Sequence, residues 1–363
     1  MNISNYKCPA CGAPIHFSEK SGKIECEYCG SSYEVAEIEA LFENKNENKS
    51  DEGNSTKEES NSENTETMNI YNCPSCGAEL YCDKSTVAAN CPYCDNPVVM
   101  SGEFKIEKPD YILPFKLDKN AAISSLKSHY KGKLLLPKIF SEQNHLEEIK
   151  GVYVPFWLFD SEVSGAVSYH GTKSTIHREG DYKVTDTAHY NIYRAGNMQF
   201  ERVPVDGSEK MPDDYMDSIE PYDYSELKPY SPAYFPGFLA NKADVHKNTC
   251  WERAKKRCHK TAISSFRDTV SGYGTLNEIS KNLNVKNNDI KYALMPVWLL
   301  TTKWQDKTYL FAMNGQTGKL VGNLPVDKNK ARMLFILVGI VAGILLSLFF
   351  SAPIGRFFED LFL

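Results

Sequence analysis

Eight of the eleven cysteines fall into four Cys-x2-Cys pairs: Cys8 with Cys11, Cys26 with Cys29, Cys73 with Cys76, and Cys91 with Cys94. A tight turn at this spacing aims two thiolates and some backbone N–H groups at one ion. Within each half, 14 residues separate the two pairs, so four sulfurs can close a tetrahedron and leave no position for a reacting water. The chemistry predicted is structural metal binding, with one Zn2+ per unit and two in the chain; iron is the alternative occupant of such a sulfur set. Gly12, Gly30 and Gly77 supply a permissive backbone just past a knuckle, and Asp95 takes that place in the last one.

The surroundings repeat as well. Tyr6-Lys7-Cys8-Pro9-Ala10-Cys11-Gly12-Ala13 returns 65 positions later as Tyr71-Asn72-Cys73-Pro74-Ser75-Cys76-Gly77-Ala78. Two small β zinc ribbons with rubredoxin-like knuckles follow, over residues 1–37 and 68–102. Units this small bury little apolar area, so metal binding supplies most of their folding free energy. Residues 38–67 between them are dominated by Asn, Glu, Lys, Ser and Thr and read as a disordered tether that lets the first ribbon swing free of the second. The polar N-terminus does not resemble a signal peptide, which places the thiols in the reducing cytosol and favours metal over disulfides.

The other cysteines carry less signal. Cys82 aligns with Phe17 of the first unit, a position that packs under the ribbon, and Cys250 and Cys258 are spaced along one helical face, so all three read as core thiols rather than ligands.

What the ribbons touch is constrained by charge. The chain carries a formal charge of -6; its first ribbon has three lysines against five carboxylates and its second one lysine against three. A tetrathiolate zinc centre adds negative charge to each. Phosphate binding is therefore disfavoured, and protein–protein contact is the expected use.

At the other end, residues 333–355 contain no charged residue, and 333–353 are read as a transmembrane helix followed by a short tail, 354–363. Lys328, Lys330 and Arg332 precede the span, and the positive-inside rule then predicts a single-pass protein of the cell membrane with its N-terminal domains in the cytoplasm. Gly339, Gly343 and Ser347 recur every four residues and line one ridge, the pattern that lets two such helices approach in a homo- or hetero-oligomer.

Residues 103–327 read as a central α+β domain. Within it, Asp118 is expected to cap a helix ending at Tyr130, after an apolar strand at Tyr111 to Phe115. Gly151 to Asp160 and Ser164 to Tyr169 read as paired strands, as do Met295 to Trp304 and Thr308 to Met313. A short echo, Val154-Pro155-Phe156-Trp157-Leu158 against Met295-Pro296-Val297-Trp298-Leu299, hints at two related sheet units. Asp206 to Glu226 carries eight acidic residues and one lysine, while Lys242 to Arg267 reads as a basic helix; the two either face each other or both face water.

No nucleotide loop, H-E-x-x-H, G-x-S-x-G or dinucleotide fingerprint occurs, so no enzymatic role is expected. Gly315-Gln316-Thr317-Gly318-Lys319 lacks the phosphate-loop spacing and reads as a turn.

The double ribbon, its polar link, the Pro109 to Phe115 stretch, the Tyr153 to Phe159 strand and the terminal span together resemble the bacterial TFIIB-type zinc-ribbon-containing membrane proteins. That resemblance covers nearly the whole chain. It implies membrane and peripheral-membrane partners, phage-shock-protein-A-like or SPFH (flotillin-like), in envelope-stress complexes. The function expected is a membrane-anchored adaptor that recruits or scaffolds proteins at the cytoplasmic face. The alternative is a membrane-tethered nucleic-acid-binding ribbon protein.

Overall fold

The computed structural model describes residues 7–13, 15–47, 65–73, 77–82, 91–92, 99–142, 146, 148–235, 238–241, 243–305 and 307–351. The chain is multidomain, with a cysteine cluster near the N-terminus, a large mixed sheet and, among the described residues, five α-helices, the last of them apolar.

Three short strands, β1 (His16–Ser18), β2 (Lys23–Glu25) and β3 (Ser32–Tyr33), form an antiparallel sheet in the order β1-β2-β3. Helix α1 (Val35–Glu47) follows and buries Ile38 completely. Its start is fixed locally, because the Glu37 carboxylate accepts the N–H of Glu34 at 3.0 Å. The helix therefore occupies the first part of the segment expected to be disordered; residues 48–64 of that segment lie outside the described residues.

The large sheet is built around two 30-residue strands, β8 (Lys150–Glu179) and β12 (Thr275–Trp304), paired antiparallel along most of their length. Gly151 to Asp160 and Ser164 to Tyr169 are thus consecutive parts of one strand, not partners of each other. The polar step at Asp160 is a bulge rather than a turn: the register against β9 (Tyr182–Asp206) shifts between Phe159 and Ser161. The Asp160 carboxylate accepts the N–H of Arg202, which sits at φ +53°. The hairpin expected from Met295 onward is present, with β12 turning at Trp304 into β13 (Lys307–Asn314). Beyond β13, Asn314 to Lys319 is a turn, held by Asn314 Oδ1 accepting from Gln316 N and Thr317 N at 2.9 Å each.

Around the two long strands the body is duplicated. Strand β7 (Tyr111–Ile112) pairs antiparallel with β10 (Lys228–Pro229) and in parallel with β12 at Ala293 and Leu294, and β11 (Leu239–Asn241) pairs in parallel with β8 at Val152 and Tyr153. A helix follows each short strand: α2 (Lys119–Tyr130), capped by Asp118 accepting from Ala121 N at 2.7 Å, and α4 (Lys247–Asp268), capped by His246 accepting from Asn248 N at 3.2 Å. Each of the two tryptophans of the echo donates its indole N–H to the carbonyl just before the opposite cap, Trp157 to Val245 at 3.1 Å and Trp298 to Leu117 at 2.9 Å.

Between them, α3 (Asp213–Ile219) carries much of the acidic segment, and it faces the basic helix α4. Arg253 bridges Asp206, Asp213 and Asp217 at 2.9, 2.7 and 3.2 Å, and Arg257 binds Glu220 at 2.9 Å. Lys255 and Lys256 point to solvent. Cys250 and Cys258 lie with Ala254, Ala262 and Phe266 on the buried face of α4, as core thiols.

Helix α5 (Lys328–Ser351) closes the described chain; over Lys328–Phe349 it is long and apolar enough to cross a membrane, with none of that stretch buried against the body. Residues 352–363, which comprise the last two positions of the expected span and the whole expected tail, lie outside the described residues.

Candidate metal centre

The first four predicted ligands converge. The ligand sulfurs of Cys8, Cys11, Cys26 and Cys29 all lie within 4.8 Å of one another. Cys8 Sγ is 3.4 Å from Cys29 Sγ, and Cys11 Sγ is 3.6 Å from Cys26 Sγ. A tetrahedron of Zn–S bonds near 2.3 Å has edges of about 3.8 Å, so the spacing fits a single ion with four thiolates.

Local backbone geometry explains why these residues meet. In each knuckle a glycine with positive φ turns the chain back, Gly12 at +75° and Gly30 at +72°, and donates its N–H to the first cysteine's carbonyl at 2.8 and 2.9 Å. A side chain would be strained in that conformation. The first cysteine's own N–H closes the loop onto Ala13 and Ser31. Cys8 and Cys26 are buried, whereas Cys11 and Cys29 face solvent.

The protonation of the cluster is uneven. Burial pushes the Cys8 thiol up, but the N–H groups of Cys11 and Ala10 and the Tyr33 hydroxyl outweigh it and hold Cys8 down at about 6. For Cys11, the Ala13 N–H pulls down, yet the neighbouring sulfurs of Cys29, Cys26 and Cys8 together with burial push it up to about 12. The Ser31 hydroxyl and N–H draw Cys29 down. Thiolates at this spacing resist ionising together, and a central cation relieves that repulsion.

The second unit repeats the first knuckle bond for bond. Gly77, at φ +69°, donates to the Cys73 carbonyl at 2.8 Å, and Cys73 donates to Ala78. Cys73 and Cys91 are both buried, in one apolar cluster with Tyr71, Ala78 and Leu80. The other two predicted ligands, Cys76 and Cys94, lie outside the described residues.

Each unit is joined to the body. In the second, β4 (Thr65–Asn72) pairs with β5 (Glu79–Cys82) and β6 (Val99–Glu107), and β5 also pairs with β11, which continues this unit into the large sheet. Strand β6 runs across residue 103, where the composition changes. The first rests on the body through Phe17, whose ring meets Tyr234 edge-on at 5.1 Å, and through Lys20, 2.9 Å from Asp118.

One residue escaped the motif reading. Tyr28, between the predicted ligands Cys26 and Cys29, is 81% exposed. The sequence held the clue, because Tyr93 occupies the matching place between Cys91 and Cys94.

The predicted helix-packing residues Gly339, Gly343 and Ser347 all lie on α5, and a Cβ added at Gly339 or Gly343 would meet nothing within 4 Å. The ridge is therefore open at both glycines.

No family model matches the sequence, and no solved structure matches the chain. A curated relative does: the chain is 33% identical over 351 residues to the uncharacterized protein YdjG of Bacillus subtilis strain 168, an alignment spanning 95% of this chain and 96% of that protein. This chain belongs to the family of YdjG.

Proposed function

We propose that this protein is a membrane-anchored adaptor whose two TFIIB-type ribbons, each holding a structural Zn2+, present docking surfaces to other proteins at the cytoplasmic face of the membrane. In this reading α5 is the single span, its basic flank stays in the cytoplasm, and the protein holds surfaces together without a chemical step of its own. The observation that carries it is the first cysteine cluster: four sulfurs lie close enough to saturate one ion, which would leave no place for a substrate, and Tyr28 between two of them stands out to solvent. An exposed tyrosine on a metal-stiffened turn loses little entropy on binding and suits a protein interface. The acidic ribbons argue against phosphate backbones as partners. By the family resemblance, partners are of the phage-shock-protein-A-like or SPFH-like kind and the setting is envelope stress.

The test is in-cell crosslinking of the full-length tagged protein, with protein and nucleic acid both assayed after purification in mild detergent. Membrane or coat-forming proteins captured by the wild type and lost in Cys8→Ser and Tyr28→Ala support the adaptor. Ribbon-dependent capture of nucleic acid without a protein partner replaces it.

A further inference from the structure

The loop after α2, Lys131-Gly132-Lys133-Leu134-Leu135-Leu136-Pro137-Lys138, is built to expose one leucine. Gly132 turns the chain at φ +80°, Leu136 and Pro137 are buried and anchor the far side, and Leu134 at the tip is 75% exposed. Two hydrogen bonds pin this loop to the start of α5: Asp327 N donates to Leu135 O at 2.8 Å, and Lys330 Nζ donates to Leu136 O at 2.6 Å. An open apolar cleft separates them, with Leu134 and Leu135 on one wall and Met333, Leu337 and Ile340 on the other.

That cleft fixes the loop's depth. Ile340 lies about 10 Å along the helix axis from Met333, at 1.5 Å per residue. A loop abreast of these residues cannot stand in water while they stand in hydrocarbon. The charges agree: Lys131 and Lys133 precede the leucines on the loop, Lys328 and Arg332 lie at the start of the helix, and all four are exposed. Asp327, the acid at the helix start, is engaged as its cap and accepts from Asn329 N and Lys330 N. Long basic side chains reach out to anionic headgroups while apolar neighbours stay below them.

We propose that this loop enters the lipid leaflet facing the folded body, with Leu134 and Leu135 among the acyl chains and the lysines at anionic headgroups. It is a second membrane contact, which fixes how the sheet and ribbons are tilted over the bilayer. The proposal rests on the reading of α5 as a membrane span.

The experiment places a photocrosslinking p-benzoylphenylalanine at Leu134, at Leu345 in the span or at Ile279 on the far ribbon of β12, one at a time, in the full-length chain in nanodiscs of mixed phosphatidylcholine and phosphatidylglycerol. Lipid-mass adducts at 134 and 345, with at least a tenfold lower yield at 279, are expected. Adducts at 345 without adducts at 134 overturn the loop proposal and leave the span standing. Absence at both overturns the span and the loop with it. Crosslinking of 134 to a second protein chain instead of lipid assigns the leucines to a protein interface and overturns the proposal.

Discussion

Val154 and Met295 face each other across the β8–β12 ladder, and the body is arranged about that pair with approximate twofold symmetry. Pro155 O accepts from Gly207 N at 2.8 Å, and Pro296 O from Gly315 N at 2.9 Å. Gly207 O in turn accepts from Asp244 N and Val245 N, and Gly315 O from Lys116 N and Leu117 N. Each half therefore uses its hairpin to set the helix cap that follows the other half's short strand.

The duplication makes the tryptophans comparable. Trp157→Phe and Trp298→Phe each leave one carbonyl before a helix cap without its donor, at a cost of about 1–3 kcal/mol. Urea unfolding in mild detergent should give losses equal within about 1 kcal/mol, the usual size of one net hydrogen bond. A large loss in one and none in the other would break the equivalence.

The glycines, by contrast, are not equivalent. A Cβ at Gly315 would stand 2.7 Å from the Phe115 ring and 2.8 Å from Pro296, whereas at Gly207 its nearest neighbour is Trp157 Nε1 at 3.0 Å. Gly315→Ala should destabilise by about 1–3 kcal/mol, and Gly207→Ala by less. The order of the two unfolding midpoints checks this.

Asp206 gives a pH dependence. Only 2% exposed, with Oδ1 on Arg253 and Oδ2 without a partner, it is held up at about 6, first by burial, against the pull of Arg253 and with the push of Asp213 and Asp217. The folded state thus binds this proton more tightly than the unfolded chain, whose value is near 3.9. The associated stability is present below pH about 4 and lost as pH rises through about 6. Wild type minus Asp206→Asn should therefore fall from pH 4 to 7 in chemical unfolding; a flat or rising difference contradicts the assignment.

On α5, the open ridge at Gly339 and Gly343 predicts association. Gly343→Leu should weaken self-association severalfold in a membrane reporter assay, and Ile344→Leu, off the ridge, should not. Equal signals from both would remove the ridge from any interface.

Local rules were legible in the sequence wherever one segment carries its own instruction. The Cys8 and Cys26 knuckles, the Asp118 cap, the Trp304 hairpin and the long apolar C-terminal helix are all of this kind. The five-residue echo also pointed to a true relation, since Val154 and Met295 are cross-strand partners. Features that depend on distant pairing were not legible. Asp160-Ser161-Glu162 looks like a strand end, because its side chains are polar; only the N–H of Arg202, 42 positions away, turns it into a bulge. The joining of β5 to β11 is likewise invisible, resting on two short strands far apart in the chain. Charge alone could not say whether the acidic segment and the basic helix meet; the answer came from Arg253 and Arg257.

Elemental analysis of the purified full-length protein tests the central claim most directly. Two zinc ions per chain are expected in the wild type, and one in either Cys8→Ser or Cys73→Ser, with the body's unfolding transition retained. No stoichiometric metal in the wild type, or two ions retained in either variant, would contradict it.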